Sequence, residues 1–156
     1  MATIKKKILK GIKITEYQFK KPPLVVGGLA MEYYGLRKTG HDYDYMISKS
    51  DWVKLKKKHP KFVNLFGGKT EKDIDSTINL KTKKGKVDLI NTLYQHNYKE
   101  LSKGSINFKN YKIISLEKLL FIKTLDAIWK RTGKSINDSK LIVNHIVKKK
   151  YPHKKF

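Results

Sequence analysis

Two carboxylates two residues apart, Asp42 and Asp44, stand out in a chain that is poor in acids: 13 Asp and Glu among 156 residues. The stretch Asp42 to Ile47 alternates polar with apolar and reads as a strand, so both aspartates fall on one face with Cα atoms roughly 6–7 Å apart. Carboxylates at that spacing repel unless a cation sits between them. Mg²⁺ or Mn²⁺, which take carboxylate oxygens together with substrate phosphates, suit such a pair. A third acid, Asp88, interrupts the apolar run Lys86 to Ile90, where an unpaired carboxylate would be costly. If that strand lies beside the first, the three acids meet. Asp42, Asp44 and Asp88 would then be both metal ligands and catalytic groups for displacement at phosphorus, with Asp88 activating the attacking hydroxyl. Upstream, Gly27-Gly28 follows the apolar run Leu24 to Val26. Glycine lets backbone approach a phosphate closely, and a following helix would offer free N–H groups.

The elements that must position these residues can be placed by pattern. Leu24 to Val26 reads as a buried strand, and a helix of about two turns follows the glycines. A helix capped by Ser50 or Asp51 extends to about Lys58. Phe62 to Phe66 and Ile74 to Leu80 are candidate strands on either side of Gly67-Gly68, and a hairpin-like turn at Lys81 to Gly85 leads into the Asp88 strand. A helix or loop covers 92–103, and Tyr111 to Ile114 is a short strand. Ser115 caps a helix to about Arg131, which Gly133 ends, and a last helix runs from about Asn137 to Lys149. The order implies a mixed α/β (α+β) domain, a mixed sheet flanked by helices with a helical C-terminal part. Its divisions are a basic lead-in at 1–21, helical or extended, a core at 22–114 and a helical segment at 115–156.

Composition narrows the classes. Apolar residues make up 39%, enough for a globular core and unlike a disordered chain. The absence of cysteine excludes disulfides, thiolate metal sites and a cysteine nucleophile. No run approaches a membrane span and no signal peptide is evident, so a soluble cytoplasmic domain is expected. The net charge of +23 favours a polyanionic partner. All but Arg37 and Arg131 of the 36 basic residues are lysine, and an A+T-rich genome produces the same bias. Lysine holds phosphates as a point charge and reads bases poorly. His59, His96, His145 and His153 show no metal-ligand spacing. Trp129 reads as a core or helix-packing residue.

The stretch from Gly27 to Ile47, GGLAMEYYGLRKTGHDYDYMI, resembles the signature of the polymerase-β-like nucleotidyltransferase superfamily, most of all its minimal, AbiEii-like toxin type. In that pattern a Gly-Gly turn and short helix precede an Asp-x-Asp strand, and a third acid follows on a later strand, where KVDLI fits. Gly27, Gly28, Ala30, Gly35, Arg37, Thr39, Asp42 and Asp44 take the motif positions. Lys123, Arg131, Lys134 and Asp138 match a weaker C-terminal pattern. The resemblance implies a polymerase-β-like fold, an NTP donor, and nucleotide binding by Gly27, Gly28, Arg37, Thr39 and Lys123. It also implies transfer of a nucleoside monophosphate to an acceptor hydroxyl. A nucleic-acid end, with RNA and tRNA foremost, suits the charge. A protein hydroxyl, as in toxin-type relatives with an antitoxin-like partner, comes second, and a small molecule such as an aminoglycoside third. The competing class is a non-catalytic nucleic-acid-binding protein that keeps the fold. Tyr43 and Tyr45 stand where aliphatic residues are usual, which predicts a wetter or looser strand.

Overall fold

The computed structural model describes residues 2–66 and 75–153. Gly67-Gly68 and Ile74 lie outside them. The chain forms α1 (Ala2–Ile14), β1 (Leu24–Val25), α2 (Gly27–Tyr33), β2 (Asp42–Met46), α3 (Lys49–Lys58), β3 (Val63–Phe66), β4 (Asp75–Thr82), β5 (Gly85–Leu93) and β6 (His96–Asn97). It continues with α4 (Tyr98–Leu101), β7 (Ile106–Asn107), β8 (Lys112–Ile113), α5 (Leu116–Trp129) and α6 (Gly133–Lys150). The strands make one mixed sheet in the order β3-β4-β5-β2-β1-β8-β7, with β6 paired to β5. Helices flank it and the C-terminal part is helical, as the sequence implies. Among the described residues no helix is long and apolar enough to cross a membrane.

The central pairing is β2 with β5, and it is parallel, with Asp44 opposite Asp88 and Tyr45 opposite Leu89. Strands that run parallel need a long crossover, which here holds α3, β3 and β4. Beyond β5, β4 pairs antiparallel and sets Asn79 opposite Asp88. One sheet face therefore carries the polar row Asp44, Asp88 and Asn79, while the alternate residues Tyr43, Tyr45, Val87 and Leu89 are buried.

The segment 1–21 takes the helical alternative over α1. Ile4 and Ile8, one turn apart, are buried in the core. Gly11 completes that face. A Cβ there would collide with the Tyr45 hydroxyl and the Tyr43 ring, so glycine lets the helix sit down on two tyrosines. The expectation of a wet or loose strand is corrected by this packing: Tyr45 is 0% exposed and Tyr43 only 5%. The Tyr45 hydroxyl donates to the Ile8 carbonyl at 2.6 Å, satisfying its polar end inside the core.

Helix boundaries shift for identifiable reasons. Ser48, two residues before the expected cap, accepts from the Asp51 N–H at 3.3 Å and opens α3. Asp51 instead turns inward. At the other end, Lys56, Lys57 and Lys58 lie in the last turn, where the helix dipole favours them. Ser115 caps α5 as expected, accepting from the Lys118 N–H. That helix stops at Trp129 without help from Gly133, because Arg131 takes a left-handed φ of 52°. Thr132 then caps α6, and Gly133 is its first residue rather than the terminator of α5. Trp129 is 73% exposed, not a core residue. The region 92–103 resolves into the end of β5, β6 and the single turn of α4, whose Asn97 and Glu100 form a reciprocal capping box.

Candidate active site

The polar face of β2, β4 and β5 forms the floor of a trench of about 630 Å³, walled by α5 and the start of α6. Asp44 and Asp88 lie on that floor with Gly27 and Lys123 beside them. The two carboxyls share a hydrogen bond, and Asp44 is pushed well above the ordinary carboxylate range. Burial is the largest cause, followed by the charge of Asp88, the bond to it and the charge of Asp42; Lys123 opposes them. Asn79 donates to Asp88 Oδ1 at 2.6 Å and so holds that side chain toward its neighbour. Sequence reasoning did not single out Asn79. Its signal was an amide between Ile78 and Leu80 in an otherwise apolar alternation.

Asp42 is the first residue of β2 and is exposed. It stands on the same face as Asp44 by alternation, close enough for its charge to be felt there. Among the described residues no three acid or imidazole side chains form a ready metal cluster. The structure thus brings together two of the three expected acids and leaves Asp42 at the strand start, where the pairing begins. The donor chemistry nonetheless fits a hard divalent ion. Asp44 and Asp88 offer only oxygens, they repel each other when both are ionised, and a cation between them removes that repulsion.

Gly27 has a φ of 59°, and a Cβ there would lie 2.5 Å from Asp44 Oδ2. The position requires glycine twice, for backbone conformation and for the close approach of the acid. Gly28 is equally confined, by Thr39: a Cβ would strike its hydroxyl. Thr39 is fixed by its N–H, which donates to Glu32 Oε1 at 2.9 Å. Lys7 bonds both that carboxylate and the Thr39 carbonyl. The start of α2 at Gly28 therefore packs on the loop that carries Arg37 and Thr39.

Arg37 and Lys123 converge on a single carboxylate. Asp138 of α6 accepts from Arg37 Nε at 2.6 Å and Nη2 at 2.8 Å, and pairs with Lys123 Nζ at 2.9 Å. Burial alone would raise its pKa, but the two cations hold it below the usual carboxylate value. Lys123 is 9% exposed, so it does not snorkel to the surface. It points into the trench from a helix whose other faces are largely apolar. Lys134 also lines the trench, whereas Arg131 is exposed in the link between α5 and α6.

The far end of the trench was not foreseen. Tyr94 and Gln95 make the two-residue turn between β5 and β6 with φ of 48° and 65°, a conformation that asparagine and glycine usually supply. Asp75 holds the turn by accepting from both backbone N–H groups, at 2.6 and 2.9 Å. The Tyr94 hydroxyl bonds Asp126 of α5. The floor and the helical wall are thereby tied together at the end away from Asp88.

No protein-family profile matches the chain, and comparison with curated proteins gives no match. Among solved structures the chain is similar to the antibiotic-resistance factor ANT(2'')-Ia, with 14% identity and a TM-score of 0.49 over 92% of this chain and 83% of that one. It is also similar to a candidate nucleotidyltransferase from H. pylori, with 18% identity and a TM-score of 0.37 over 78% of this chain and 55% of that one. Both scores fall below 0.5, so the functional reading rests on the residues and their arrangement.

Proposed function

We propose that the chain is a divalent-metal-dependent nucleotidyltransferase of the polymerase-β-like kind, moving a nucleoside monophosphate from an NTP to an acceptor hydroxyl on a nucleic acid, RNA foremost. The observation that carries this reading is the in-register juxtaposition of Asp44 and Asp88 on neighbouring parallel strands, with Gly27 backbone against Asp44. The motif order along the chain, glycine pair, Asp-x-Asp and a later lone Asp, supports it.

Asp44 and Asp88, with Asp42 at the strand start, would hold Mg²⁺ or Mn²⁺, which supplies charge neutralisation of the phosphates when bound. Asn79 keeps Asp88 aimed at the floor. Asp88 takes the proton of the acceptor hydroxyl, whose oxygen bonds to the α-phosphorus. The bond from that phosphorus to the β-phosphate oxygen breaks, and pyrophosphate leaves with the electron pair. Lys123 would face the triphosphate from the wall opposite Asp44, beside Gly27. Most of the rate would come from positioning and electrostatics.

A second reading, a non-catalytic nucleic-acid-binding protein, is favoured by one observation: Arg37 and Lys123 are already engaged by Asp138. Transfer of label from each of the four NTPs in a cell extract with Mg²⁺ or Mn²⁺ separates the two. The enzyme reading predicts labelling that drops by about 10²–10³-fold in Asp44→Asn. Salt-sensitive RNA binding without labelling under either metal would establish the second reading instead.

A further inference from the structure

A second recess lies at the end of the sheet where β2 and β5 begin. It encloses about 350 Å³ and is lined by Lys10, Lys81, Lys83, Lys84 and Lys86 together with His41 and Tyr43. Five lysines drawn from a helix, a hairpin and a strand thus face one hollow. Among the described residues no carboxylate is ion-paired to any of them. The nearest in register is Asp42, the partner of Lys86 across the β2–β5 pairing, and no ion pair joins the two. Converging like charges cost energy, and an anion in the hollow would remove that cost.

The hairpin that carries three of the lysines is a tight turn. The Thr82 hydroxyl donates to the Gly85 carbonyl at 2.9 Å and accepts from the Lys84 N–H at 3.1 Å. The lysines are therefore displayed from a fixed backbone, unlike those of a frayed terminus. The hollow and the trench share no lining residue, but β2 and β5 run from the one to the other. Lys86 lines the hollow, yet by strand alternation Lys86 shares the sheet face of Asp88. Asp42 lies between His41 and Tyr43, which line the hollow, and stands on the face of Asp44.

We infer that this hollow docks the phosphodiester backbone of a single-stranded nucleic acid and leads its end round the start of β5 to the acids. The inference rests on the transfer reading for the use of that strand, though not for its binding. Lysines supply point charges without a bidentate fork, so the hollow holds phosphates and reads no bases. A recess of this size, fed from one sheet end, suits a backbone that can bend, as positively charged grooves for single strands do. A duplex presents a rigid row of phosphates that would meet the recess at fewer points.

The test compares two triple variants of equal charge change on the full chain. One is Lys81→Glu/Lys83→Glu/Lys84→Glu in the hairpin. The other is Lys140→Glu/Lys148→Glu/Lys149→Glu on α6, where all three lysines are exposed and outside the hollow. Fluorescence anisotropy with RNA and DNA oligonucleotides of one sequence reads affinity as a function of salt. The hairpin variant is expected to bind both strands at least about tenfold more weakly, with the slope of log K against log salt shallower by about 2. The α6 variant should stay within about threefold of the parent. A matching Lys→Gln triple in the hairpin, tested if the Glu variant unfolds, should give a smaller loss of the same kind. Equal weakening by both triples overturns the inference, because it makes the attraction a property of overall charge. Preference for a duplex over the single strand, or displacement of the oligonucleotide by polyglutamate of equal charge, overturns it too. The two proposals fail separately. Hairpin-dependent binding without any nucleotide transfer leaves the docking site and removes the enzyme. RNA binding unchanged by the hairpin triple, with nucleotide transfer intact, removes the docking site and leaves the enzyme.

Discussion

Two aspartates near the sheet meet opposite surroundings. Asp51, in the first turn of α3, is fully buried. It accepts from the Lys20 and Lys21 N–H groups, the Tyr17 hydroxyl and the Ser48 hydroxyl, at 2.7 to 3.1 Å. Burial would raise its pKa, but those four donors hold it below the ordinary range. Asp44 meets another acid instead and is pushed up. A carboxylate whose lone pairs are all occupied fastens the segment before β1 onto α3. A carboxylate set against a like charge gains nothing for the fold and is left available to a ligand. The same side chain thus fastens structure in one place and is set against a like charge in the other, and the difference is legible in its partners rather than in its burial.

Substitution offers the most direct way to break the comparison. Asp51→Ala strands two backbone N–H groups and two hydroxyls and should cost about 3 kcal/mol in urea denaturation. Asp44→Asn should leave stability unchanged or raise it by about 1 kcal/mol, because it relieves a repulsion. Equal losses from both would erase the distinction. Next come the glycines that admit these regions. Gly11→Ala drives a methyl into Tyr45 and Tyr43 and should cost about 2 kcal/mol of thermal stability. Gly27→Ala is strained at its positive φ and crowds Asp44, so it should lose transfer activity as well as about 1 kcal/mol.

Acid titration sharpens the contrast further. Asp51 and Asp138 both have native pKa values below the unfolded value of about 3.9. Their contribution is complete above that pH and is lost as pH falls through the native values, where the native state must take up protons. Wild-type stability should therefore fall steeply below about pH 4, and Asp51→Asn should flatten that slope when denaturation is followed across pH. The smallest effect expected is Tyr45→Phe, which removes the bond to the Ile8 carbonyl and should cost about 1 kcal/mol.

Much of the floor of the trench was readable from pattern. Alternation placed β2, and a lone acid in an apolar run marked Asp88 as needing a partner. Local chemistry also located the Ser115 cap. The partners themselves depend on tertiary contact. Asp138 lies 101 positions from Arg37, and no spacing rule joins them. Tyr43 and Tyr45 misled because the space they fill is made by Gly11 in a different element. Gly133 misled because the left-handed residue between α5 and α6 is Arg131, a residue type that carries no such signal. Trp129 misled because composition cannot tell a helix end that faces a trench from one that faces the core.

The parallel register of β2 and β5 has a consequence for biosynthesis. During translation Asp44 leaves the ribosome well before Asp88, and α5 and α6 follow later still. Until β5 arrives, the emerging segment is a lysine-rich polycation with the floor of its trench still missing. The Asp44–Asp88 pairing, and the walls that α5 and α6 add to it, can therefore form only after those later segments have been made.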